Sequence, residues 1–496
     1  MRRNFTVLAL VLSLFFITTS LFSAGIDLTG VGAKAQALGG NFRAVADDWS
    51  AMNWNPAGMV FSKGFTVGMS SELITPVVGY TAGHIKIGTE SKQFSTTIDE
   101  EVKNESRTFF VPSGGIYYST GKYAFGLGVW APFGLGAKWD MLHTQSYNKT
   151  YPEFDYDDEM QIVDIHPTFA YKINDKFSVG LGASIIMATI EIQKPNFTPN
   201  PYVFNPALAQ IAAAIQATGA LNSQYNHLLT DTKLEGDGGG FGFNIGAMYK
   251  ATEDLSIGAS LQYYNDLKLD GTVNAKTYFA DNAVAHQTIL AGVKPTLDAM
   301  LAGGLLTPDQ YGVMLNYYSG ASMDKTKDQK VKADMPLPMR AGIGVAYTGI
   351  TNLLISADLA WTQWSAWGVI PINDEDGEKV SELTQNWEDG IRVGLGCEYT
   401  LPIMKLRLGY YTEPNAGIDE TVTPSIPDFS RRHSLALGAM VPLGPVNFHA
   451  SYEKIISAEK EVTEWVPTAD GLGYDNMAGT YNMGTDCIMF GLDYIF

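Results

Sequence analysis

LLISADLAW, residues 353 to 361, carries the reading on which the fold rests. Leu353, Ile355, Ala357, Leu359 and Trp361 fall on one face of an extended chain, and Leu354, Ser356, Asp358 and Ala360 on the other. A period of two, with one apolar face and one polar or small face, marks a β-strand between two different environments. The same split recurs in 255 to 264, where Leu255, Ile257, Ala259, Leu261 and Tyr263 oppose Ser256, Gly258, Ser260, Gln262 and Tyr264. It returns along 177 to 185, 241 to 249, 339 to 347 and 435 to 441. Strands of soluble sandwiches run about five to six residues, whereas these runs reach the roughly nine to eleven that a tilted strand needs to cross a bilayer. The apolar phase often ends in a ring, at Tyr249, Tyr263, Tyr347, Trp361, Tyr399 and Tyr494, which suits an interfacial girdle. The pattern predicts an all-β chain, a transmembrane antiparallel β-barrel rather than a sandwich.

The opposite phase holds the charges: Asp164, His166, Arg340, Asp358, Arg392, Glu398, Lys405, Arg407 and Asp493. A basic side chain facing lipid at the bilayer midplane costs about 2 to 4 kcal/mol, so these residues are expected to face the lumen. Short turns at 119–122, 172–176, 250–254, 348–352, 400–402 and 442–445 alternate with long polar segments near 88–106, 140–156, 193–239, 273–329, 366–385, 412–430 and 457–483. Six turns and seven loops join fourteen strands, and an even count with periplasmic short turns places both termini in the periplasm. Cys397 shares the outward phase of Ile391, Val393 and Leu395, and Cys487 the inward phase of Met489 and Asp493, so no disulfide is expected.

Composition agrees. Of 496 residues 46% are hydrophobic and 17% charged, too apolar for a disordered chain. Only one long apolar run exists, at the N-terminus, which excludes a helical membrane bundle. Arg2 and Arg3, the apolar stretch from Phe5 to Phe22, and Ser23-Ala24-Gly25 read as a signal peptide over 1–24. The net charge of −19 becomes −21 once Arg2 and Arg3 are removed, which argues against a nucleic-acid partner. Two cysteines make neither a disulfide framework nor a zinc site, and no cofactor or metal is expected.

Residues 25–62, GIDLTGVGAKAQALGGNFRAVADDWSAMNWNPAGMVFS, do not alternate. Their small-residue run, the ADD and the NPAG resemble the N-terminal hatch of the FadL/TodX family of outer-membrane hydrocarbon channels. WTQW at 361–364, SIPDFSRR at 425–432, the strand pair at 391–411 and the terminal Phe496 extend the resemblance over the mature chain. It implies a fourteen-stranded barrel over 63–496, in the outer membrane of a Gram-negative bacterium, plugged by a hatch at 25–62. It further implies passive uptake of hydrophobic molecules, typically long-chain fatty acids, with aromatic or alkane hydrocarbons as the alternative. A fourteen-stranded barrel is also wider than side chains alone fill, which calls for a plug independently of the resemblance.

Four groups of residues are candidates for function. In the hatch, Arg43, Asp47 and Asp48 are expected to pair with lumen charges, while Asn55, Pro56, Ala57 and Gly58 read as a tight turn in which Gly permits positive φ. In KYAFGLGVWAPFGLGAKW, residues 122 to 139, Pro132 interrupts a strand that must lose a ladder bond there. By the resemblance, Pro132, Phe133 and Gly134 mark a kinked third strand that lets a ligand leave sideways into the membrane. The segments 205–229 and 283–318 look helical and amphipathic, and their apolar faces need a partner; by the resemblance, the groove between them, with Leu297 and Leu301, is where a ligand is captured above the barrel. Arg340, Arg392 and Arg407 in the lumen would pair with a fatty-acid carboxylate. Expected partners are the ligand, outer-membrane lipid and lipopolysaccharide, and the barrel-assembly machinery through Phe496, with the chain a monomer. No G-x-S-x-G, Walker, H-E-x-x-H or C-x-x-C motif occurs, so an enzyme is not expected. His449 and Ser451 share a face, but it is the inward one, the wrong side for a barrel phospholipase. A structural or adhesive barrel that binds no lipid is the rival from another class.

Overall fold

A computed structural model describes residues 30–82, 84–87, 90–93, 101–141, 154–199, 227–278, 283–309, 311–312, 315, 319, 323–467 and 475–495. The expected signal peptide, most of the helical reading of 205–229, and Phe496 lie outside these residues. Fourteen strands form one closed antiparallel barrel. They are β1 (Gly64–Ala82), β2 (Phe109–Ser119), β3 (Tyr123–Trp139), β4 (Tyr156–Lys172), β5 (Phe177–Pro199) and β6 (His227–Lys250). β7 comprises Leu255–Tyr264 and Leu267–Tyr278, β8 Met323–Met335 and Arg340–Ile350, β9 Leu353–Thr362 and Val369–Asp374, and β10 Lys379–Thr384 and Gly390–Thr400. β11 (Lys405–Glu413), β12 (Arg432–Leu443), β13 (Val446–Val462) and β14 (Gly479–Ile495) complete the wall, and β14 pairs back onto β1 from Thr66↔Ile495 to Ala82↔Gly479.

The predicted phase is the observed one. Leu359 is exposed on the lipid face of β9, whereas Ser356, Asp358 and Ala360 are buried inside. Asp164, His166, Arg392, Glu398, Arg407 and Asp493 are likewise buried on the inner face. Cys487 is buried and Cys397 partly so, and both are free thiols.

The ladders run further than the alternation suggests. Residues 193–199 and 227–239 belong to the β5–β6 hairpin, and 273–278 and 323–329 to β7 and β8, although all fall in segments expected to be loops. A ladder needs no apolar stripe, and beyond the bilayer opposite charges take over cross-strand pairing. Lys233 meets Glu191 at 2.8 Å and Lys330 meets Glu375 at 3.2 Å. Of the predicted 283–318 helix, Ala283–Ala302 forms the regular part, α3 once the two short hatch helices described next are counted, with Val293 and Leu297 buried.

Residues 30–60 are buried almost throughout. A short helix α1 (Ala33–Ala37) and a second, α2 (Ala51–Trp54), lead into a 3₁₀ turn, Pro56–Phe61. The segment meets inward residues around the wall: Gln36 bonds Ser451 of β13 at 2.6 Å, Arg43 bonds Asp358 of β9 at 3.0 Å, and Asn55 bonds the Ala247 carbonyl of β6 at 3.0 Å. Ser178 of β5 donates to the Ala57 carbonyl at 2.7 Å.

Candidate functional site

β3 is where the wall departs from regularity. Trp130 pairs with Asp164 of β4, but the next pair is Phe133↔Ile162, so one extra residue bulges out at Ala131-Pro132. Pro132 has no N–H to give the ladder and fixes its own φ, which localises the bulge there. On the other side, β3 pairs with β2 only from Ala124↔Ser119 to Val129↔Gly114, while β2 continues along β1 as far as Ile74↔Phe109. Above Val129 the two strands part. A cavity of about 540 Å³ occupies the gap. Phe109 and Phe110 bound it on the wall side, Phe133 and Gly134 on β3, and Trp387 and Ile426 on the lumen side.

Phe133 turns fully inward into an aromatic shelf, with Tyr264 at 5.8 Å and Trp364 at 6.4 Å between ring centroids. Trp367 stacks on Trp387 at 4.8 Å, and Trp364 meets Trp387 edge-on at 5.4 Å. The shelf exists because β7, β8, β9 and β10 each break at one level, at 265–266, 336–339, 363–368 and 385–389. Pro336 and Pro338 remove two donors from the β8 ladder at that level, and the Pro336 carbonyl accepts instead from Trp367 Nε1 at 2.8 Å.

Arg340 links the bulge to the shelf. Its Nη2 donates to the Pro132 carbonyl at 3.3 Å, and its guanidinium lies 4.1 Å over the Phe133 ring, within cation–π range. Arg340, Arg392 and Arg43 border a small cavity of about 30 Å³ directly on the hatch, together with Pro132, Trp54 and Glu413. Arg407 is elsewhere. It is bound to Glu398 at 2.8 Å and donates to His449 Nδ1 at 2.9 Å, beside Lys34 of the hatch. The three arginines grouped by phase therefore divide, two toward the bulge and one into an anchor.

Hatch expectations also divide. Arg43 pairs with Asp358 across the lumen as expected. Asp47 turns instead to Lys34 at 2.7 Å, within the hatch, and Asp48 accepts from the backbone and hydroxyl of Ser50 at 2.8 and 2.6 Å. The sequence distance from Lys34 to Asp47 hid that local pair. Burial, reinforced by the neighbouring Asp47, raises the Asp48 carboxyl above its ordinary value.

Asn55-Pro56-Ala57-Gly58 opens a 3₁₀ helix rather than a tight turn. Asn55 Oδ1 accepts from the Ala57 N–H at 3.2 Å, and its Nδ2 bonds the Arg43 and Ala247 carbonyls. Gly58 has no positive φ, and its role is close approach, since a Cβ there would strike the Ala46 carbonyl. Leu297 is buried on α3 and Leu301 half-buried. His449 and Ser451 do face the lumen, bonded to Arg407 and Gln36 respectively.

Sequence reasoning missed the neutral contacts. Asn244, Gln262 and Ser178 all bond hatch carbonyls, at 2.7, 3.0 and 2.7 Å. Their signal was an amide or hydroxyl in the inward phase, which also suits an ordinary lumen lining. The shelf tryptophans were missed because they sit at strand breaks, where alternation stops.

Comparison with known proteins places these features in a wider group. The chain matches the family described as "Outer membrane protein transport protein (OMPP1/FadL/TodX)" over residues 14–493. It is 24% identical over 403 residues to the long-chain fatty acid transport protein of Escherichia coli O6:H1, covering 80% of this chain and 78% of that protein. Its counterpart in Salmonella typhi is 23% identical over 406 residues, with the same coverage of 80% and 78%. The fold matches the crystal structure of a Pseudomonas aeruginosa FadL homologue at a TM-score of 0.71 and 18% identity, over 95% of this chain and all of that one. The Pseudomonas putida toluene transporter TodX matches at a TM-score of 0.63 and 15% identity, over 95% of this chain and 99% of that one.

Proposed function

Because the chain belongs to the outer membrane protein transport family (OMPP1/FadL/TodX), we propose that it is a passive channel of the Gram-negative outer membrane for hydrophobic molecules, with long-chain fatty acids as the first substrate class. The observation that carries this reading is the parted β2–β3 ladder, whose apolar cavity of about 540 Å³ is bounded by lipid-side and lumen-side residues at once. A ligand captured above the barrel, in a groove to which Leu297 and Leu301 contribute, moves to the aromatic shelf. Displacement of the hatch then lets it pass Pro132, Phe133 and Gly134 sideways into the membrane. Apolar transfer needs no energy source, since each buried CH₂ gains about 0.8 kcal/mol on leaving water.

With Arg43 held by Asp358, the guanidinium groups of Arg340 and Arg392 beside the carboxylate of Glu413 favour a ligand with an acidic head over a neutral hydrocarbon. The second reading, a channel for monoaromatic compounds, is favoured by the stacked and edge-on rings of Phe133, Tyr264, Trp364, Trp367 and Trp387.

Uptake of labelled oleate and of toluene by cells with and without the protein separates the cases. Protein-dependent oleate uptake supports the first reading, and toluene uptake alone the second. Uptake of neither overturns both and favours a structural barrel. Replacing Pro132 with Ala and Gly134 with Trp together should lower uptake with assembly intact, and unchanged uptake removes the lateral exit.

A further inference from the structure

Met52 of α2 is held by the wall in two ways. Its side chain enters a pocket made by the missing side chains of Gly115 on β2 and Gly126 and Gly128 on β3. A Cβ at Gly126 would stand 2.6 Å from its sulfur. Its backbone carbonyl accepts from Asn244 Nδ2 of β6 at 2.7 Å. That bond orients the Asn244 amide, because Nδ2 is the donor and Oδ1 is left to accept. His166 Nε2 lies 3.0 Å from this Oδ1 and so carries the proton that it donates.

The other edge of the ring runs back to β3. Nδ1 faces Asp164 Oδ2 at 3.1 Å and Ser184 Oγ at 3.0 Å, and Ser184 also donates to Asp164 at 2.9 Å. Both groups meet the same ring nitrogen, so the ring does not stand between acid and hydroxyl as a hydrolytic triad requires. Asp164 is the cross-strand partner of Trp130, the last regular pair below the bulge. The Trp130 ring itself lies against His166, with centroids 4.9 Å apart. Every member of this chain of contacts is buried. Gly182 makes it possible, since a Cβ there would collide with both His166 Nε2 and Asn244 Oδ1.

We propose that His166 is a positioning residue that, through Asn244 and the Met52 carbonyl, ties the hatch to the β3 bulge so that the two shift together. The inference deepens the lateral-exit reading, on which its meaning for transport rests, but the tie itself is a property of the ligand-free chain. With it, a hatch displaced by ligand also loosens the wall at Trp130. Without it, only the apolar seat of Met52 among Gly115, Gly126 and Gly128 joins plug and exit.

Hydrogen exchange followed by mass spectrometry on the full chain in detergent tests the tie without any ligand. Ser178→Ala removes the Ser178–Ala57 bond on β5, away from His166, and loosens the hatch. Exchange should then rise in peptides covering 44–61 and also in those covering 123–139, by roughly 2- to 10-fold, the effect of one lost hydrogen bond. Adding His166→Phe should leave the hatch response and sharply reduce the response at the bulge, where the Met52 contact with β3 remains. His166→Gln should restore it, because a glutamine carboxamide reaches Asn244 Oδ1, whereas the shorter His166→Asn should not. Should His166→Phe fail to fold, Asn244→Ala cuts the same link from the hatch side. A bulge that responds to Ser178→Ala equally with His or Phe at 166, or that never responds, overturns the proposal. Failure of the transport reading would show separately, as absent oleate uptake with this coupling intact.

Discussion

Asp358→Asn is the substitution that most directly asks whether the N-terminal segment is a fixed plug. Asp358 Oδ2 accepts from Arg43 Nη1 at 3.0 Å and from the Arg43 backbone N–H at 3.2 Å, with side chains only 8% and 4% exposed for Arg43 and Asp358. Arg43 Nε also donates to Ser260 Oγ at 3.1 Å. Asparagine keeps an acceptor for the backbone N–H, so the change isolates the charge. Removing one partner of a buried pair costs about 3 to 5 kcal/mol because the other charge stays buried. Arg392 and Arg340 add to that burden, since both already act on Arg43 as like charges. Retention of the acceptor puts the expected loss near the lower end, about 3 kcal/mol, or roughly a 10²-fold rise in hatch opening. Hydrogen exchange over residues 40–60 should accelerate by that factor, and ion leak through planar bilayers should rise with it. Arg43→Met added to Asp358→Asn removes the stranded charge and should recover most of the loss. A single substitution that leaves exchange and leak unchanged, or a double variant worse than the single, would refute the reasoning that this pair anchors the plug.

Three further outcomes follow from named contacts. Asp48→Asn keeps the Ser50 cap but removes a carboxyl whose native pKa burial has raised. A raised native pKa means that the folded state binds the proton more tightly, so the ionised group destabilises increasingly as pH climbs from 3.8 through its native value. Thermal melts should therefore show the variant more stable than wild type at pH 7, with the gain gone below about pH 3.8. Gly58→Ala drives a methyl into the Ala46 carbonyl and should lower hatch stability by about 1 to 3 kcal/mol, read by protease sensitivity of the segment. Leu359→Arg places a charge on the lipid face of β9 and should cost about 2 to 4 kcal/mol, seen as a lower urea midpoint for the folded barrel in bilayers.

The wall was legible because one physical demand acts on every second residue. Lipid tolerates neither charge nor unpaired backbone, so Leu353 to Trp361 states its environment without reference to any distant residue. The ladder beyond the membrane lacks that demand. Lys233, Glu191, Lys330 and Glu375 stabilise strands there through partners 42 to 45 positions away, and no local pattern announces them. Pro132 was readable as an interruption from its chemistry alone, and the bulge sits there. The parting of β2 from β3 was not readable from periodicity, because Phe109-Phe110-Val111-Pro112-Ser113 is apolar in both phases and still pairs with β1 on its other side. Within the lumen, charge alone could not say which arginine faces what. Arg407 and Arg340 share a phase, yet height along the barrel gives one to Glu398 and the other to Pro132.

Height and direction also grade the strength with which the hatch is held. On the side that runs from β9 through β13 to β1 its contacts are ionic or dense: Arg43 with Asp358, Lys34 beside Glu398 and Arg407, and Gln36 with Ser451 and Glu72. On the side of β2 to β6 they are neutral, from Ser178, Asn244 and Asn55, with Met52 among the glycines. Breaking a buried ion pair costs about 3 to 5 kcal/mol, while a neutral hydrogen bond contributes a net of about 0.5 to 1.5. A hatch under load therefore yields first along residues 44–61, the stretch that faces the parted strands, and pivots on 33–43. Exchange in the wild-type chain should show that gradient, faster over 44–61 than over 33–43. The reverse order would mean that the ionic side opens first and that the path past Pro132 does not begin at the hatch edge beside it.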